Sequence, residues 1–168
     1  PLLLLHGYPQ THIMWHKTAN ELSKSFTIIV ADLRGYGSSF VLKSDKQHLN
    51  YSKREMAKDL IQLMNKLGFK KFCIAGHDRG GRVAHRLARD YRKKVIALSV
   101  LDICPTLDMY ELTEKNFAKA YFHWFFLIQP KFQFHIRCTY HHQVPDQFDL
   151  LFAFHSSLRI SLELLIES

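Results

Sequence analysis

Four short apolar runs, Leu2–Leu5, residues 26–31, residues 72–75 and Val95–Leu101, alternate with segments of helical character. Continuous apolar runs, as opposed to alternating ones, are what strands need when both faces of their sheet are covered. Strand and helix in strict alternation predict a parallel sheet with helices on both faces, the α/β class. Such sheets bind ligands beyond the carboxyl ends of their strands. Here every run ends in glycine or polar residues: His6-Gly7-Tyr8-Pro9, Asp32-Leu33-Arg34-Gly35-Tyr36-Gly37, Gly76-His77-Asp78-Arg79-Gly80, and Asp102.

The intervening segments carry helix signals. Residues 11–22 read as a helix, and the polar stretch 43–50 as a loop. Ser52-Lys53-Arg54-Glu55 has the form of a capping box, in which Ser and Glu side chains satisfy backbone donors at a helix start. Met56, Leu60, Leu63, Met64 and Leu67 then form an apolar stripe, with Gly68 placed to end the helix. Between residues 79 and 94, Arg82, Arg86, Arg89 and Lys93 recur opposite Val83, Leu87 and Tyr91. That pattern is a solvated basic helix face before it is a nucleic-acid patch.

Charge and cysteine usage narrow the partners. The excess of 23 Lys and Arg over 15 Asp and Glu, a net +8, is spread along the chain. The expected partner is therefore a small anionic substrate, with no nucleic acid and no membrane. No apolar run reaches the roughly 18 residues needed to cross a bilayer, and no signal-peptide pattern opens the chain, so a cytoplasmic location is expected. Cys73, Cys104 and Cys138 lack metal-ligand spacing, and their odd number argues against a disulfide framework; no metal or other cofactor is expected.

Past residue 106 the texture changes. Tyr110, Phe117, Tyr121, Phe122, Trp124, Phe125 and Phe126 crowd into what reads as one helical segment ending at Pro130. A helix apolar on nearly all sides must be buried or line a cavity. The expected organisation is a partial α/β core over 1–106, the start of a helical cap over 107–130, and a divergent tail over 131–168.

The sharpest local signal is Gly76-His77-Asp78-Arg79-Gly80, following a strand and opening a helix. It has the form of a nucleophile elbow, with Asp where serine hydrolases place Ser. A glycine-flanked Asp is also a common plain turn, so context decides. The loop after the first strand supplies a second set of backbone donors. The N–H groups of Tyr8 and Arg79 are thus candidates to hold an oxyanion. Asp102 ends the next strand, where an acid that orients a catalytic His would sit.

Together with Gln10-Thr11-His12, Gly81-Arg82 and Leu101-Asp102-Ile103-Cys104-Pro105-Thr106, these motifs resemble the haloacetate (fluoroacetate) dehalogenases of the α/β-hydrolase superfamily. Tyr121-Phe122-His123-Trp124 resembles the start of that family's cap, and the resemblance covers residues 1–130. It implies that Asp78 attacks the halogen-bearing carbon and forms an ester on its own carboxylate. Arg79 and Arg82 would hold the substrate carboxylate. His123 and Trp124 would receive the halide, and Asp102 would orient a water-activating His. His77 reads as a wall of the elbow, and Cys73 as core.

Three departures qualify that expectation. None of His135, His141, His142 or His155 has the family's setting for the base, which lies in a more distant segment. The family's first strands have no counterpart, and the similarity stops abruptly after Pro130, so an N-terminal portion left by a frameshift, a truncated gene or a fragmentary gene model is expected. Unpaired sheet edges would then make the isolated product poorly soluble, whereas the full-length form is expected to pair as a homodimer. Two rival readings remain: an epoxide hydrolase, in which Trp usually replaces Arg79, and a non-catalytic remnant.

Overall fold

The computed structural model describes residues 1–111 and 113–122. Residues 1–103 belong to one compact unit, and a second begins at Cys104. In the first, strands β1 (Leu2–Leu5), β2 (Ile28–Ala31), β3 (Phe72–His77) and β4 (Val95–Leu101) form one sheet in the order β2-β1-β3-β4. All three pairings are parallel, with Leu5 level with Ala31 on one side and with Gly76 on the other.

The four leucines of β1 are all buried because the strand is central and both its faces are covered. Alternation sends them to different partners. Leu3 and Leu5 join the cluster built by Met56, Leu60, Met64, Val83 and Leu87, on helices α2 (Lys53–Lys66) and α3 (Arg79–Asp90). Leu2 and Leu4 pack with Trp15 on the other face, against Ala19 and Leu22 of α1 (His16–Leu22). Each buried leucine contributes on the order of 1.5–3 kcal/mol.

Helix α2 shows how local chemistry sets boundaries. The Ser52 side chain accepts the Glu55 N–H at 3.3 Å, so half of the expected capping box forms. The reciprocal half does not, because the Ser52 N–H is already bonded to Leu49 O, and Glu55 pairs with Lys58 instead. At the other end Gly68 takes φ +83°, Gly68 N bonds Asn65 O and Phe69 N bonds Met64 O. These two bonds are the Schellman closure, and Phe69 packs against the core that holds Met64.

Several boundaries differ from expectation. The helix expected over 11–22 begins as a 3-10 turn, His12–Trp15, because the His12 N–H is drawn onto Asp32 Oδ1 at 2.7 Å. Strand β2 starts two residues late, since Phe26 N bonds back to Leu22 O. The basic helix stops at Asp90, where Arg86 grips the carboxylate, and a 3-10 turn covers Arg92–Lys94. In the second unit the described part of the expected aromatic helix holds two short helices, α4 (Thr106–Glu111) and α5 (Lys115–Ala120), with Glu114 extended before α5, and residues 123–130 lie outside the described residues.

The chain reverses its lateral direction between β1 and β3. From β1 it moves out to β2, and from β3 it moves the opposite way to β4. The loops leaving β1 and β3 therefore diverge side by side and open a crevice at the strand ends. A buried network shapes the first of them. His6 Nε2 accepts the Leu33 N–H at 3.0 Å, so Nδ1 carries the proton and donates to Gly7 O at 2.8 Å. Burial lowers the His6 pKa, which keeps the ring neutral despite Asp32 at 3.8 Å.

Asp32, only 6% exposed, ties the loop after β1 to its own. Burial alone would raise its pKa, but the His12 and Ser38 N–H groups and the His12 ring outweigh it and hold the carboxyl below its ordinary value. Both groups have folded-state pKa values below their unfolded ones, so both favour folding above the unfolded values and lose that contribution as pH falls. The thermal midpoint should decline in two stages, beginning below about pH 6.5 for His6 and below about pH 4 for Asp32. In Asp32→Asn the lower stage should shrink, with about 1–3 kcal/mol of stability lost at neutral pH. Differential scanning fluorimetry across pH checks both.

Strands β2 and β4 form the sheet's two outer edges among the described residues, and Val30 (37%) and Ile96 (53%) are exposed there. Apolar edge strands template pairing between molecules. Ile96→Lys should lower self-association severalfold, read as a larger monomer fraction by light scattering after size exclusion.

Candidate active site

The turn from β3 into α3 brings backbones unusually close. A Cβ on Gly76 would lie 2.4 Å from Gly80 O, and one on Gly80 would lie 2.5 Å from His6 O. Only glycine permits either approach, so α3 can start directly above β1 and β3. Asp78 is left at the apex with φ +47° and ψ −114°, a conformation that a non-glycine residue adopts only when its surroundings impose it. Asp78 N bonds Leu101 O and Arg82 N bonds Asp78 O, fixing the apex from both sides.

The carboxylate of Asp78 meets the loop after β1. Tyr8 N–H donates to Asp78 Oδ2 at 2.9 Å, so a donor expected for an oxyanion already grips the candidate nucleophile. Gly7 makes this contact possible, since a Cβ there would fall 2.8 Å from Asp78 Cβ and 3.1 Å from its Oδ2.

Arg79 and Arg82 occupy the first turn of α3 and are half-buried. The Arg79 guanidinium lies 5.9 Å from the centre of the Tyr8 ring and 6.0 Å from that of Tyr36. Those rings meet edge to face at 6.5 Å, and Tyr36 also abuts His6 at 5.0 Å. Cation–π attraction thus orients Arg79 between the two loops. Arg82 is not the fully solvated residue that its place in the basic pattern would make it.

Asp102, at the end of β4, is also at positive φ (+53°), and its side chain is 51% exposed. Its Oδ2 is 3.5 Å from Nε2 of His77. The other ring nitrogen, His77 Nδ1, is buried without a hydrogen-bond partner among the described residues and lies 2.8 Å from where a Gly7 Cβ would be. His77, expected as a wall of the elbow, thus lies beside Asp102. His123 and Trp124 lie outside the described residues.

One group at this site carried no signal in the sequence beyond its place in the capping box. Lys53, the first residue of α2, is half-buried within electrostatic reach of Asp78, Arg79 and Arg82. Burial, and then the two guanidinium groups, push its pKa down to about 8 against the opposing pull of Asp78. Among the described residues there is no grouping of three or more His, Cys, Asp or Glu that could hold a metal ion, and no helix long and apolar enough to cross a membrane. Cys73 is half-buried beside Leu2 and Leu4 in the core of the α1 face.

The sequence pattern of the α/β hydrolase fold matches residues 1–139. Over 129 residues the chain is 50% identical to a fluoroacetate dehalogenase of Burkholderia sp, covering 77% of this chain and 42% of that protein. It is 42% identical over 107 residues to a soluble epoxide hydrolase of Corynebacterium sp. (strain C12), covering 64% of this chain and 36% of that one. A solved α/β-hydrolase structure from Nostoc sp PCC 7120 superposes with a TM-score of 0.76 at 59% identity, over 77% of this chain and 45% of that one. The chain thus spans less than half the length of each of these relatives. The elbow, the parallel sheet and the sequence match agree: the chain belongs to the α/β hydrolase fold family.

Proposed function

We propose that this chain carries the nucleophilic part of a hydrolytic dehalogenase site for short 2-haloacids such as fluoroacetate or chloroacetate. The observation that carries the reading is Asp78, held at a strained apex with Oδ2 on the Tyr8 N–H and two arginines in the next turn. Arg79 and Arg82 bind the substrate carboxylate, which turns the halogen-bearing carbon toward Asp78. Oδ1 then attacks that carbon; the C–O bond forms as the carbon–halogen bond breaks, and its electron pair leaves as halide. No proton moves in this step.

The product is an ester on Asp78. Water adding to its carbonyl would place negative charge on the oxygen that faces the Tyr8 N–H, with the Arg79 N–H as second donor. That addition needs a base. His77 is the imidazole beside Asp102, but one of its nitrogens faces the acid and the other is packed against Gly7. Neither presents a lone pair to water at the ester. With no such base among the described residues, the ester is expected to persist, so that one equivalent of halide is released per molecule. His123 and Trp124 are proposed halide donors.

The similarity to a soluble epoxide hydrolase favours a second reading, in which Asp78 opens an epoxide through the same ester. The paired guanidinium groups favour a carboxylate substrate over a neutral one. Intact-mass measurement after incubation with fluoroacetate decides the matter. One added carboxymethyl unit, absent from Asp78→Asn, is the expected outcome. A mass gain with a small epoxide only would select the second reading. No gain with either, from folded protein, would leave a non-catalytic remnant.

A further inference from the structure

The loop after β2 presents an aromatic ring that the displacement chemistry itself does not use. Tyr36 stands between Gly35 and Gly37, which take φ +81° and +50°. A Cβ on Gly37 would collide with the Asp32 carboxylate, so the turn closes only around glycine. The Tyr36 backbone is bonded on both sides: its N–H donates to Leu33 O at 2.9 Å, and its carbonyl accepts from Ser39 N at 2.9 Å. Asp32 braces the same turn by accepting the Ser38 N–H at 3.1 Å, while the Ser39 hydroxyl donates to Asp32 O at 2.7 Å. The ring of Tyr36 therefore projects from a fixed backbone.

That ring meets two groups of the site. It abuts the buried His6 ring at 5.0 Å, with 63° between the planes. The Arg79 guanidinium lies over it at 6.0 Å and over the Tyr8 ring at 5.9 Å. The two tyrosine planes stand at 86°, so the cation meets rings from two different loops. An arginine that is to read a planar carboxylate must hold its flat fork in one orientation, and a long side chain does not do so alone. The negative face of a ring attracts the guanidinium and leaves its hydrogen-bond donors open. A carboxylate in the same place would occupy those donors, as Asp59 does with Nε and Nη2 of Arg34 at 2.8 and 2.7 Å.

We propose that Tyr36 is a positioning residue for substrate recognition: the face of its ring, held by the turn between Gly35 and Gly37, fixes the Arg79 guanidinium in the orientation that binds the substrate carboxylate. This rests on the carboxylate-substrate reading above and gives the loop after β2 a part in it. Tyr36 acts through Arg79 and touches neither the substrate nor Asp78. Tyr8 shares the cation, but its N–H also holds Asp78 Oδ2, so Tyr36 is the ring whose loss isolates the effect on Arg79. Removing its face should raise the substrate concentration needed for half-saturation more than it slows displacement at Asp78. A ring that served only to fill space would be replaceable by any apolar side chain of similar bulk.

The test uses acetate, which has no leaving group, and neutral acetamide as probes, with dissociation constants read by NMR titration of the full chain. Tyr36→Leu keeps the bulk and removes the ring face; it should weaken acetate about fourfold and leave acetamide unchanged. Tyr36→Phe keeps the face and should hold acetate as the unaltered protein does. In an Arg79→Gln background, Tyr36→Leu should bring no further loss, because the ring then has no cation to hold. Far-ultraviolet circular dichroism checks folding, and Tyr36→Met takes the place of Tyr36→Leu should that variant not fold. Equal weakening by Phe and Leu, equal weakening with and without Arg79, a change below about twofold in Tyr36→Leu, or no acetate binding to the unaltered protein would overturn the proposal. The two readings fail separately. Acetate binding that depends on Tyr36, without an Asp78 adduct, would sink the dehalogenase reading alone. An adduct formed at the same half-saturating fluoroacetate concentration in Tyr36→Leu would sink the role of Tyr36 alone.

Discussion

The contact on which the site depends is the approach of the α3 start to the end of β1, where Gly80 rides on the carbonyls of Leu5 and His6. A methyl group at Gly80 would push α3 off the sheet, and one at Gly76 would meet the same helix from below. That approach sends the chain through a positive-φ turn at Asp78 and places its carboxylate against the Tyr8 N–H. Strain at the apex is tolerated because Leu101 O, the first turn of α3 and the loop after β1 all hold it. The reactive geometry is thus set by backbone packing before any side chain contributes, and the arginines are then arranged around a fixed carboxylate.

Charge at the crevice follows from this arrangement. Cation–π contacts with Tyr8 and Tyr36 hold Arg79 without neutralising it, whereas an ion pair would have cancelled its charge. Arg34 shows the contrast. It lies one loop away, is committed to Asp59, and serves to anchor α2. Two arginines of similar sequence context, each near a glycine-containing turn, therefore do different work according to whether a carboxylate or a pair of rings meets them.

Much of the fold was legible because strand and helix periods are written locally. The β1 leucines, the α2 stripe with Ser52 and Gly68, and the glycines around Asp78 each state their structural demand within a few residues. Errors arose where a distant group intervened. Asp32 capturing His12 turned the start of an expected helix into a 3-10 turn, and no local pattern announces a partner twenty positions away. Glu55 could not close its box because Leu49 O had already taken the Ser52 N–H. Helical spacing alone sets Arg82 on a solvated basic face, whereas its side chain is half-buried in the first turn of α3. Lys53 was hidden for the same reason: a capping motif explains the residues at either end of it and leaves the direction of its side chain open.

The pairing of Asp102 with His77 bears on how such a site divides its two chemical steps. In the proposed mechanism ester formation needs a positioned carboxylate, and the loops after β1 and β3 hold that of Asp78. Ester hydrolysis needs a proton acceptor with a lone pair aimed at water, and the imidazole adjoining Asp102 has neither nitrogen so disposed. On the proposed reading, the described residues of the sheet end supply the displacement step and, of the hydrolytic step, the acid alone. A second imidazole brought against Asp102 would have to compete with His77 for Oδ2, or use the exposed remainder of that carboxylate, half of which faces solvent. That exposure leaves room for a second imidazole beside His77.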